Sequence, residues 1–165
     1  MRGLVNVVLV ALLASTAMAA PAEKKMSTGP EAGVNAMGQA FFAAWNQHDV
    51  KSMVSHWADD ATLINPMGRT AHGKAAIEAL LSEEQTTVFK SSTAKLMGLT
   101  VTRSLGPSMV LCDGEMTVDG AVAPDGAALP QMKIHLALLA AKRGADWVLQ
   151  DARPYQFVQP PPKMN

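Results

Sequence analysis

Asp151, Arg153 and Tyr155 stand two residues apart in a stretch, Trp147 to Tyr155, that reads as an extended strand. A strand repeats every two residues, so the three side chains share one face with Trp147 and Leu149. A carboxylate, a guanidinium and a phenol on one face form a plausible acid–base set. Asp151 is the candidate base, Arg153 would fix an acidic or carbonyl group, and Tyr155 would donate a hydrogen bond. The plainer reading of Asp151 and Arg153 is a structural ion pair at a sheet edge, common and weak. Pro154 falls at the end of this strand, where it can disturb the phase. Asn65, before Pro66, either satisfies backbone groups at a strand end or orients a ligand carbonyl or hydroxyl. Cys112 is the sole cysteine. It reads as a small buried hydrophobe, with a reactive thiol as the minority case. A lone cysteine also rules out an intramolecular disulfide.

The remaining chemistry-bearing types are sparse. The histidines are His48, His56, His72 and His135, and no two have the spacing of a helical metal pair. His56 and Asp60 could share a helix face, but a metal needs more ligands than two. No metal and no cofactor is expected. No glycine-rich phosphate loop follows a strand, and no nucleophile elbow is present. Acidic and basic residues balance at 14 each. A balanced charge points away from nucleic acid or an anionic membrane as partner.

The elements that must position these groups follow from the pattern. Residues 1–20 have the form of a signal peptide: Arg2, an apolar run from Leu4 to Ala14, and Ala17-Met18-Ala19 before the cut. Export to the periplasm or medium, with cleavage near Ala19 or Ala20, is expected; an uncleaved anchor is the alternative. Residues 21–30 read as a flexible leader, 31–158 as one domain, and 159–165 as a proline-rich tail. Val34, Met37, Phe41, Ala44 and Trp45 recur at helical spacing. Asp49 is a suitable N-cap for a second helix carrying Val50, Met53, Val54 and Trp57, closed by Asp59-Asp60. Ala61 to Asn65 reads as a short strand that places Leu63 and Asn65 on one side. Gly68 turns the chain, and Gly73 opens a third helix with Ile77, Leu80 and Leu81 inside. Ser82 to Lys90 reads as a polar connector.

Strands follow. Met97, Leu99 and Val101 alternate inward, then Val110, Cys112, Gly114, Met116 and Val118. After a loop from Asp119 to Pro130 come Met132, Ile134, Leu136 and Leu138. Helices first and antiparallel strands afterwards make an α+β domain, with a twisted sheet wrapped around the first helix and a cavity between them.

Ala44-Trp45-Asn46, His48-Asp49, Ala58-Asp59-Asp60-Ala61-Thr62, Asn65-Pro66-x-Gly68 and Gly73-Lys74 with Ile77 resemble the SnoaL-like branch of the nuclear transport factor 2-like superfamily. Trp147 to Phe157, WVLQDARPYQF, resembles its small SgcJ/EcaC-type members. The resemblance implies a cone-shaped α+β fold, commonly a homodimer through the outer sheet face. It leaves function open, because this scaffold carries isomerases, cyclases, hydrolases, dehydratases and binding subunits. In the related ketosteroid isomerases a carboxylate base works with a Tyr and a protonated Asp. By resemblance these three roles fall on Asn65, Phe41 and a position near Leu138, none of which can fill them. That isomerase chemistry is therefore not expected. The expected ligand site is Phe41, Trp45, Leu63, Asn65, Cys112 and Leu136, suited to a small, mostly apolar or aromatic molecule. Two functions follow: a binding domain, or an enzyme on a polyketide-like, aromatic or steroid-like substrate. A cavity filled by its own Trp and Met side chains would instead mark a pure dimerisation module.

Overall fold

The computed structural model describes residues 29–157. The expected signal peptide, nearly all of the leader and the tail lie outside the described residues. Helix α1 (Pro30–Asn46) begins on a proline at its first position, where the absent N–H is no loss, and carries Glu31 in its first turn. Its expected face, Val34, Met37, Phe41, Ala44 and Trp45, is buried. Asn35 and Asn46, three turns apart on the same helix, stitch α1 to strand β3 (Thr93–Ser104). Asn35 accepts from the Leu99 amide at 2.9 Å and donates to its carbonyl at 2.6 Å. Asn46 does the same for Ala94, at 2.7 and 2.9 Å. Strand β3 lies at the sheet edge, so these amides satisfy backbone groups that no neighbouring strand reaches. Gly38 permits the close packing: a Cβ there would sit 2.8 Å from Leu96 and 3.0 Å from Leu99 side-chain atoms.

Helix α2 (Val50–Ser55) is capped as expected, with Asp49 accepting from the Ser52 amide at 3.1 Å. It is shorter than the sequence pattern suggests. Strand β1 (Trp57–Ile64) starts where the apolar stripe had been extended, so Trp57, Asp59 and Asp60 belong to a strand. The chain turns at Gly68 into a short strand, β2 (Thr70–His72), which the sequence reading lacked. Gly73, with φ at 77°, then caps helix α3 (Lys74–Thr86). Helix α3 continues through Ser82 to Thr86, which corrects the polar connector and buries Glu84 and Gln85.

Strands β4 (Met109–Asp119), β5 (Met132–Arg143) and β6 (Asp146–Tyr155) complete a six-stranded sheet in the order β2-β1-β6-β5-β4-β3. The neighbours are antiparallel except β1 and β6, which run parallel. The sheet curves around α1 without closing, which gives the expected α+β cone. Among the sheet's register shifts, two reset side-chain direction near the cavity. One at Met97 turns that residue outward, 59% exposed, while Leu96 and Leu99 pack inside. The other is on β6, where Leu149 opposes Ala140 but Asp151 opposes Leu139, leaving Gln150 as the extra residue. An added residue reverses every side chain beyond it.

Candidate functional site

The concave face of the sheet, α1, α3 and the 119–130 loop enclose a cavity of about 400 Å³. That equals on the order of a dozen water volumes at about 30 Å³ each, so its own side chains do not fill it. The size lies within the usual range of small-molecule pockets. Phe41, Trp45, Leu63, Asn65 and Leu136 all line it. So does Leu138, beside the third vacant isomerase position. The walls are otherwise almost wholly apolar. Met67, Pro66, Pro124 and Gln156 are exposed and also line the cavity, and so mark its mouth.

Three expected catalytic residues are elsewhere. The β6 bulge sends Ala152 and Pro154 into the cavity and turns Asp151, Arg153 and Tyr155 to the outer face. Asp151 accepts from Arg153 Nε at 2.9 Å and Nη2 at 3.3 Å, the plain ion pair. Tyr155 stacks on His135, with ring centroids 5.4 Å apart, and meets Phe157 edge-on. Cys112 is also displaced from the expected set. It is buried on the inner side of β4 but does not line the cavity. Burial, with the nearby Asp113 and Glu31 carboxylates, pushes its thiol up to about 11. A thiol so placed is a poor nucleophile near neutral pH.

Asn65 has the local role anticipated for it and a second one besides. Its Oδ1 accepts from the amides of Met67 at 3.1 Å and Arg69 at 2.8 Å, shaping the turn between β1 and β2. Its Nδ2 donates to Glu84 Oε1 at 2.7 Å. Glu84 is the group that sequence reasoning missed. It is the only ionisable side chain among the described residues that line the cavity, and it is 7% exposed. Burial raises its carboxyl above the ordinary range, opposed by the Asn65 hydrogen bond and the Arg69 charge and aided by Glu83. The Arg69 guanidinium is itself held by Glu83, at 2.7 and 2.6 Å, and so does not pair with Glu84. A further unpaired group is the indole of Trp57. It lines the cavity, and its Nε1–H is buried with no partner among the described residues. A signal for Glu84 was present: it continues the Ile77, Leu80, Leu81 stripe at helical spacing, but only if α3 is allowed past Ser82.

The described residues contain no cluster of three or more His, Cys, Asp or Glu able to hold a metal. None of their helices is long and apolar enough to cross a membrane.

The SnoaL-like domain family matches residues 39–96, the stretch from mid-α1 to early β3. No curated protein matches the sequence. Among solved structures, a cystatin-like-fold protein from Caulobacter vibrioides is similar at 25% identity with a TM-score of 0.67, over 74% of this chain and 86% of its own. A ketosteroid isomerase-like protein from Erwinia carotovora atroseptica superposes at 14% identity and a TM-score of 0.63, over 78% of this chain and 97% of its own. An NTF-2-like protein of unknown function from Shewanella oneidensis aligns at 14% identity and a TM-score of 0.56, over 75% and 97%. The cone around α1 and these likenesses agree on a cystatin-like, nuclear transport factor 2-like fold, within which residues 39–96 are similar to the SnoaL-like domain.

Proposed function

We propose that the chain binds a small, mostly apolar molecule in the cone cavity, as a homodimer paired through the outer sheet face. The observation that carries the reading is the unfilled cavity of about 400 Å³ with apolar walls. Water entering through the mouth finds few polar partners on such walls, and an apolar occupant that displaces it gains the transfer energy of its own surface. The dimer proposal draws on Leu111, Tyr155 and Phe157, exposed apolar side chains, of which Leu111 and Tyr155 stand on the outer face. Native mass spectrometry of the protein purified from its own cells or medium tests both parts. The expected species is a dimer retaining a small organic molecule that Phe41→Trp, which fills the cavity, displaces. A wild-type protein that carries nothing, and whose Tm no aromatic compound raises, would overturn the binding reading.

A second reading, an enzyme on a polyketide-like, aromatic or steroid-like substrate, is favoured by one group. Glu84 is a desolvated carboxyl in an apolar cavity, the setting in which general acids and bases are tuned. Glu84→Gln that keeps binding but loses turnover of a candidate substrate would select this reading; unchanged turnover would reject it.

A further inference from the structure

We propose that the cavity's ligand is a neutral, flat, largely apolar molecule bearing a carbonyl-type acceptor oxygen, which Glu84 holds as a protonated carboxyl donor. The proposal rests on the ligand-binding reading above and adds the chemistry of the ligand.

Two observations converge on an acceptor. First, Asn65 fixes which Glu84 oxygen is free. Its Nδ2–H donates to Oε1, and Oε2 makes no hydrogen bond among the described residues. A proton on the carboxyl therefore belongs on Oε2, where it forms an unused O–H donor. Second, nothing on the cavity walls neutralises an ionised Glu84. The facing elements α1, β4, β5 and β6 and the 119–130 loop contribute only uncharged side chains to the lining. The charges that reach Glu84 are Arg69, from the turn after β1, and Glu83, on its own helix; these are opposite in sign and bonded to each other.

A cationic amine would satisfy an ionised Glu84 and is the competing ligand class. It would place a second charge among the apolar walls, which is costly. The uncharged lining around Glu84 favours the neutral carbonyl compound.

The test is calorimetric titration of the full-length protein with three probes of one shape: acetylnaphthalene, ethylnaphthalene and naphthylethylamine. At about pH 5 the ketone should bind roughly tenfold more tightly than the hydrocarbon, the effect of one buried hydrogen bond. That preference should shrink as pH is raised from there, because an ionised Glu84 has no proton to donate. Glu84→Gln, whose amide N–H replaces the acid O–H, should keep the preference throughout the same pH series. Glu84→Leu should lose the preference yet still bind ethylnaphthalene, which shows that it is folded. Equal affinity for ketone and hydrocarbon would overturn the inference while leaving the cavity reading intact. So would tighter binding of the amine that strengthens with pH. If wild-type protein binds none of the three, the cavity reading falls and the inference with it.

Discussion

Glu84 and Asp151 each bond one neighbouring side chain at close range, Asn65 at 2.7 Å and Arg153 at 2.9 Å. The partners make them different groups. Asp151 meets a guanidinium on the outer sheet face, where side chains are 25% and 61% exposed, and the pair is solvated and electrically closed. Glu84 meets a neutral amide inside an apolar cavity. An amide bonds an oxygen but cannot cancel a charge, so burial outweighs the opposing Asn65 hydrogen bond and Arg69 charge, and the carboxyl is raised. Pairing makes a carboxylate structural; partial pairing in a dry site leaves it available for a ligand or a proton.

Removing the amide should separate the two sites most strongly. Asn65→Leu strips the acceptor from the Met67 and Arg69 amides and the donor from Glu84. It should cost about 3 kcal/mol, read as a lower urea midpoint at unchanged slope. A loss below about 1 kcal/mol would mean that Glu84 needs no internal partner.

The pH dependence is a smaller effect with a definite sign. The folded pKa of Glu84 is raised above its unfolded value, chiefly by burial. The native state therefore keeps a proton that the unfolded state has released. Stability is unaffected below the unfolded pKa and falls as pH rises from the ordinary carboxylate range through the folded value. Glu84→Gln escapes this loss. Its unfolding free energy relative to wild type should rise with pH across that window and then level off. A flat difference would place Glu84 in water-like surroundings.

Asp151→Asn should do least. Losing one exposed ion pair is worth about 0.5 kcal/mol or less, and affinity for an apolar probe should not change. A tenfold loss of affinity would return the outer face to consideration as part of the site.

The same pair of carboxylates shows how far a sequence can be read. Phe41, Trp45, Leu63, Asn65 and Leu136 were legible as cavity residues because each lies on an unbroken run of helical or alternating spacing. Asp151, Arg153 and Tyr155 were assigned inward by the same rule, and Gln150 defeats it. A bulge is a property of two paired strands, so one strand's sequence does not announce it. Glu84 was hidden for a different reason. Ser82-Glu83-Glu84-Gln85 is polar enough to read as a connector, and only packing against the cone converts its inner edge into a cavity wall. Cys112 shows a third limit: inward on a strand and lining a cavity are separate conditions, because helix α1 occupies part of the concave face.

By itself the sequence determined the α+β class, the order of the three helices and of every strand but β2, and most of the apolar faces, since these depend on local spacing, caps and turns. Tertiary structure decided which polar groups those faces carry inward. Direction along β6 depends on a bulge set by its register with β5, and the state of Glu84 depends on how completely other elements shut it from water. Both are relations between distant segments, and they moved the candidate chemistry from the outer face of β6 to the buried end of α3.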